Sequence, residues 1–375
     1  MIASQPVATS SKPVLAYKGS NGRLPRRNVL VKAATGTALY PPFIPPVIRD
    51  IGDAAAHAMI SKMRREPVQV DSLAKQGEGS VRTAVVGPTG AALDEAGVPT
   101  DAPVMVMLHS FDSSSIEWRR LYPMLEQNAG MPVVAVDLIG WGFTDVQAWQ
   151  RKPLMPLGAD LKREHLEAFR QQQLGGRPVV LVGTSLGGTI AADYALAYPQ
   201  AVKQLILIDA QGFTEGVKSP PRFLSWIGVA VLKTVWLRNQ ANQQAYHDKA
   251  TFATEDAWKC GRLHTFLPGW QEANVAFISS GGYSLTEERI KQLSQPVLLL
   301  WGKSDEILPI PLADKWQAAL STRPQGSGSF MRVDIDRAGH SPHLERPDAV
   351  AEPILQFLTQ QQQQQQREHE QVARV

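Results

Sequence analysis

The chain has 375 residues, 43% of them hydrophobic and 19% charged, an ordinary globular composition with room for one large α/β domain and an insertion. Its net charge of +3 is concentrated at the start: residues 1–49 hold seven Lys or Arg and no acid, and taking those seven away leaves −4 on the rest. A mildly acidic body speaks against a nucleic-acid partner. Cys260 is the sole cysteine, which excludes an intramolecular disulfide and a cysteine metal cage. No apolar run reaches the roughly 18 residues of a spanning helix. The nearest, 223–237, carries Lys233 and reads as a buried or interfacial helix.

Residues 1–38 are rich in Ser, Thr, Ala and basic residues, the composition of a transit peptide, and Val31-Lys32-Ala33-Ala34 resembles a plastid processing site. A plastid location is therefore expected, with a tail lacking any address, and hence the cytoplasm, as the alternative. Residues 39–79 read as a linker, proline-rich over 40–47, with a possible short helix over 53–65. The folded core is expected from Ser80. Residues 81–86 alternate as a strand, and 87–102 read as a loop. The runs 103–108 and 132–137 are continuously apolar, the mark of strands covered on both faces, with a helix over 117–127 between them.

Over 158–174, Leu161, His165, Leu166 and Phe169 share one helical face. Residues 179–182 form a further buried strand, followed by a helix over 189–198 that Pro199 stops. Strands follow at 205–209, 296–301 and 330–335, with helices at 312–320 and 349–358. Buried strands alternating with amphipathic helices predict an α/β fold: a mostly parallel central sheet with helices on both faces. Between 213 and 293 the alternation stops, and only helical stretches remain. This reads as a helical insertion over the carboxyl edge of the sheet, splitting a core of 80–212 and 294–359. The tail, 360–375, is glutamine-rich and either extends the last helix or stays unstructured.

The chemistry centres on Gly183-Thr184-Ser185-Leu186-Gly187, placed between a strand and a helix. A G-x-S-x-G pattern turns up by chance in about one chain in ten of this length. Strand, sharp turn and helix together make it a nucleophile elbow, in which the serine is exposed and its flanks must lack side chains. A serine hydroxyl needs a base, and the base needs an acid to orient it. Two loops at strand ends supply them, in the order serine, acid, histidine: Asp305 after the strand ending at Trp301, and His340 after the strand ending at Ile335. Asp209 and Glu306 compete for the acid, and His343 for the base. His340 and His343 could also be read as a metal pair, but no third ligand presents itself. His57, His165, His247, His264 and His369 are expected to be structural or solvated. The oxyanion would be held by two backbone amides, those of Leu186 at the helix start and Phe111 in the loop 109–118.

These pieces resemble the α/β-hydrolase superfamily, from about Ser80 to Leu358. The match is carried by His109-Ser110-Phe111, the stretch Asp137 to Asp145, Gly183 to Gly187, Trp301 to Asp305, and Gly339-His340. The family usually has Gly after the loop histidine, where this chain has Ser110. The stretches 109–118 and 261–270 are together similar to uncharacterised plastid and cyanobacterial members. The resemblance implies that 213–293 is a cap shaping the acyl or alcohol pocket.

The expectation is thus a serine hydrolase cleaving a carboxylic ester through an acyl-enzyme, with Ser185, His340 and Asp305 as triad and no cofactor or metal. The substrate would be a small-molecule or lipid ester. A phytyl or other isoprenoid ester would suit a plastid and the apolar 223–237 segment, which also allows peripheral membrane contact. Two alternatives stand: carbon–carbon bond hydrolysis or cofactor-free haloperoxidase chemistry on the same triad, and a non-catalytic ligand-binding member. Relatives that cleave epoxides or haloalkanes carry Asp where this chain has Ser185.

Overall fold

A computed structural model describes residues 39–373, apart from 78, 152–154 and 216–219. The transit-peptide expectation for 1–38 lies outside the described residues. Ten strands follow in chain order: β1 (Arg64–Gln69), β2 (Ser80–Val86), β3 (Val104–Leu108), β4 (Val133–Val136), β5 (Val179–Thr184), β6 (Val202–Ile208), β7 (Thr214–Glu215), β8 (Ser284–Leu285), β9 (Val297–Gly302) and β10 (Phe330–Ile335). Eight form one sheet in the order β1-β2-β4-β3-β5-β6-β9-β10. β2 is antiparallel to both β1 and β4, and the other neighbours are parallel. This is the mostly parallel sheet expected from the apolar runs.

The strands' period of two sorts their side chains into two cores. β3 sends Val104, Val106 and Leu108 to one face and Met105 and Met107 to the other. The helices that matter are α1 (Ala54–Ser61), α2 (Tyr122–Asn128), α3 (Ala159–Gln173), α4 (Leu186–Ala197), α5 (Arg222–Leu232), α6 (Val235–Ala245), α7 (Glu255–Arg262), α8 (Trp270–Ser279), α9 (Pro311–Ser321) and α10 (Pro347–Ala373). The first core takes Phe169 of α3, Ile190 of α4 and Trp316 of α9. The second takes Ile60 of α1, Leu125 of α2 and Phe357 of α10.

The structure corrects two boundaries and adds one buried residue. The core begins well before Ser80. Within the presumed linker, Ile44, Ile48 and Ile60 are buried, and β1 extends the sheet beyond β2. β1 escaped detection because an edge strand buries little, here Val68, and it tolerates Pro67. The helix over 117–127 is instead a 3₁₀ turn, Ser115–Trp118, followed by α2. In α3 the fully buried partner of His165, Leu166 and Phe169 is Lys162, not Leu161. Its Nζ donates to the Ile139 carbonyl at 2.5 Å and stands 3.4 Å from the centre of the Trp141 ring. Burial drives this amine well below its ordinary range.

Register places the site. Leu108 at the end of β3 pairs with Gly183 of β5, and Ile208 of β6 pairs with Leu300 of β9. Gly302 of β9 pairs with Ile335 of β10. The loops after these strands therefore meet at one edge of the sheet. The segment between β6 and β9 carries α5 to α8, bracketed by the antiparallel pair β7 and β8. The glutamine-rich tail continues α10.

Candidate active site

Ser185 caps α4 with φ 51° and ψ −122°, a conformation that only glycine adopts without strain. The turn is held by the Ser185 amide donating to the Ile208 carbonyl at 3.0 Å. Its flanks cannot carry side chains. A Cβ on Gly183 would lie 2.4 Å from the Gly187 carbonyl oxygen, and one on Gly187 would lie 2.3 Å from that of Leu108.

His340 Nδ1 lies 2.7 Å from Asp305 Oδ2. The other Asp305 oxygen accepts the amides of Ile307 and Leu308, each at 2.8 Å. The carboxylate is thus fixed in its loop and aimed at the imidazole. The competitors lie elsewhere. Glu306 is exposed and pairs with Lys249. His343 is fully buried, packed on Trp118 with ring centres 4.8 Å apart, with Nε2 3.3 Å from Glu117. The His340–His343 metal pair therefore does not converge. Cys260 is buried, and burial pushes its thiol up to about 11, far from a reactive thiolate.

Asp209 sits directly behind the pair. An oxygen of Asp209, one of Asp305 and a ring nitrogen of His340 all lie within 4.8 Å of one another. Asp209 Oδ1 accepts the Gly302 amide at 2.8 Å, while Oδ2 has no hydrogen-bond partner. Burial first, and then the Asp305 charge, raise its acid well above the carboxylate range. With both Asp305 oxygens and Asp209 Oδ1 already on protein donors, the cluster makes a poor cation cage.

This assignment has a pH signature. The folded chain keeps a proton on Asp209 that the unfolded chain loses above its ordinary value of 3.8, so this group's contribution to stability falls as pH rises. Asp209→Asn mimics the neutral acid. Its gain in melting temperature over the parent is expected to grow as pH rises above about 4, with turnover kept within a few-fold. Asp305→Asn is expected to lower turnover by about 10⁴. A comparable loss in Asp209→Asn would move the acid's role to Asp209.

The loop 109–118 is braced from three sides. His109 Nε2 accepts the Leu138 amide at 3.1 Å, so its Nδ1 carries the proton and donates to the Ser110 carbonyl at 2.8 Å. Asp137 accepts the Ser115 amide at 2.6 Å and the Phe143 amide at 2.6 Å. Glu117 accepts both the amide (3.0 Å) and the hydroxyl (2.8 Å) of Ser110. That hydroxyl bond ties Ser110 to Glu117 and fixes the start of the loop. Burial raises the Glu117 acid, but the His343 ring and then the Ser110 amide outweigh it, to about 2. The Phe111 ring packs edge-on to Trp141, 5.4 Å between centres.

The residue that sequence reasoning missed is Asp112. It is buried with φ 46°, and its carboxylate gathers four donors from the helical segment: Arg238, His264 Nε2 (3.0 Å), Trp270 Nε1 (2.7 Å) and Asn274 Nδ2 (3.3 Å). Burial raises its acid, but Arg238 and then His264 bring it down to about 2. The stretches 109–118 and 261–270, which carry the narrower resemblance, therefore meet at this carboxylate. A second tie joins the histidine loop to the same segment: Glu345 accepts the amides of Gly339 (2.8 Å), His247 (3.1 Å) and Asp248 (2.6 Å).

Ser185, His340 and Phe111 share a cavity of about 350 Å³. Leu232, Leu237 and Ala241 form one wall, Ile307 and Leu344 another. Its two arginines are committed, Arg238 to Asp112 and Arg119 to Asp53 at 2.8 Å. Among the described hydrogen bonds, neither the Phe111 nor the Leu186 amide donates to a protein acceptor, so both are available to a ligand.

Sheet, elbow, acid and histidine in this order define an α/β hydrolase, and the alpha/beta hydrolase family model matches residues 105–352. The chain belongs to that family and is a hydrolase. It is 35% identical to the alpha/beta hydrolase domain-containing protein VTE7 of Arabidopsis thaliana over 321 residues, 85% of this chain and 90% of that protein. It is 24% identical to human monoacylglycerol lipase ABHD6 over 274 residues, 70% of this chain and 77% of the lipase. Among solved structures, a thermophilic esterase from Thermogutta terrifontis superposes with a TM-score of 0.61 at 19% identity, covering 80% of this chain and 99% of the esterase. That last likeness concerns the fold alone.

Proposed function

We propose that the chain hydrolyses a carboxylic ester with an apolar acyl or alcohol arm. Ser185 Oγ attacks the carbonyl carbon and His340 takes its proton at Nε2. The observation that carries this is the 2.7 Å contact of His340 Nδ1 with Asp305, in a cavity shared with Ser185. That contact fixes the ring and stabilises the imidazolium. The Phe111 and Leu186 amides hold the oxyanion. His340 protonates the leaving alcohol, and water then releases the acid from Ser185.

The lining supports an uncharged substrate. Both arginines in the wall are already neutralised by Asp112 and Asp53, so among the described residues an anionic diketone of the kind cleaved at carbon–carbon bonds would find no spare arginine or lysine in the lining. At about 350 Å³ the cavity is at the small end of ligand sites, so it holds the reacting ester and part of one arm. The segment carrying α5 to α8 acts as the cap over it. Residues 1–38 would serve as a plastid transit segment, which an import assay with isolated plastids tests. A p-nitrophenyl ester series from acetate to palmitate is expected to show kcat/KM rising with chain length before levelling. A preference for acetate would reject the apolar-arm assignment, and turnover of vinylogous diketones without ester turnover would replace the reaction.

A further inference from the structure

α5 and the start of α6 have an unusual surface. α5 buries Ser225 and Val229, the latter in a small core with Trp270 and Val275 of α8. Its remaining stripes face solvent and are also apolar: Phe223 is 66% exposed, Ile227 57%, and Leu224 and Trp226 nearly half. Trp236, on the first turn of α6, is 67% exposed. An amphipathic surface helix keeps its outward face polar, and this one does not. Large contiguous exposed apolar surface marks a contact site.

Along the segment itself the charges have one sign. Residues 216–247 contain no Asp or Glu but include Lys218, Arg222 and Lys233, besides Arg238, which Asp112 neutralises. Lys233 and Arg262 stand over the exposed ring of Phe266, at 5.6 and 4.9 Å from its centre, and among the described residues neither pairs with a carboxylate. Trp and Phe beside basic side chains are the equipment of helices that lie in the headgroup layer of an anionic bilayer. The opposite side of the same two helices supplies Leu232, Leu237 and Ala241 to the Ser185 cavity.

We propose that the outer face of α5, the start of α6 and Phe266 is a docking surface for anionic membranes. It lies flat in the interface, with Phe223, Ile227 and Trp236 inserted and Lys233 and Arg262 at the phosphates. The cavity then opens at the lipid surface. This concerns binding and stands apart from the ester reading.

The test is co-flotation of the full-length chain with vesicles of phosphatidylcholine alone or mixed with phosphatidylglycerol. Binding to the anionic vesicles is expected, weakening as salt rises. Phe223→Glu with Trp236→Glu is expected to weaken it at least tenfold, while melting temperature and turnover of a water-soluble ester stay as in the parent. Lys233→Glu is expected to weaken binding to anionic vesicles only. Equal binding to both vesicle types would overturn the anionic assignment. Undiminished binding by the double variant, or no binding by the parent, would overturn the surface. So would a parent that sediments as a dimer which the double variant dissociates, because the face would then belong to a second copy of the chain.

Discussion

Ser185→Ala is expected to lower ester turnover by about 10⁶, the scale seen when an activated nucleophile is removed. Stability should not change. The strain at Ser185 belongs to its backbone, φ 51° and ψ −122°, and alanine pays the same cost there as serine. The turn is held by main-chain bonds, the Ser185 amide to Ile208 and the Ser185 carbonyl to Gly188 and Gln211, and none involves the hydroxyl. Ser185→Gly should be equally inactive and more stable than Ser185→Ala, because it releases the strained φ. The checks are initial rates on a p-nitrophenyl ester and thermal melts of the three proteins. An alanine variant that retains more than a hundredth of the parent's rate would require another nucleophile.

The second large effect is expected at Asp112. Asp112→Ala strands the Arg238 guanidinium and leaves Trp270, His264 and Asn274 without their shared acceptor in a buried place. Breaking a buried charge pair on one side costs about 3–5 kcal/mol, a large part of a typical domain's 5–15 kcal/mol. A melting transition lowered by several degrees is the readout. Activity should fall further than stability explains. Phe111, whose amide is assigned to the oxyanion, is the next residue, and loss of one such donor costs about 10²–10³ in turnover. Adding Arg238→Met removes the stranded charge and should recover part of the stability. It should not recover turnover, since the carboxylate that anchors the loop is still missing. Recovery of both together would mean that Asp112 only stabilises the fold.

Asp112 also shows where sequence reasoning ends. The strands were legible because a parallel strand buried on both faces reads as an unbroken apolar run, as at 104–108 and 179–182. Ser185 and Asp305 stood out as candidates because each follows such a strand, and His340 because it lies in the loop after β10, a half-buried edge strand. Asp112 follows one as well, but its four partners lie 126 to 162 residues away, in helical segments whose spacing carries no signal of contact. The bracketing pair of β7 and β8, two residues each, is too short for any periodicity. Asp209 and Asp305 both looked like candidate acids. The distances separate them, with the His340 ring on Asp305 and Asp209 behind.

The most direct test of the central assignment is labelling with a fluorophosphonate probe, followed by peptide mapping. An activated serine in this setting is expected to take one probe per chain, at Ser185, with labelling lost in Ser185→Ala and strongly slowed in His340→Ala. Labelling that persists in Ser185→Ala, or a folded parent that takes no probe, would contradict it.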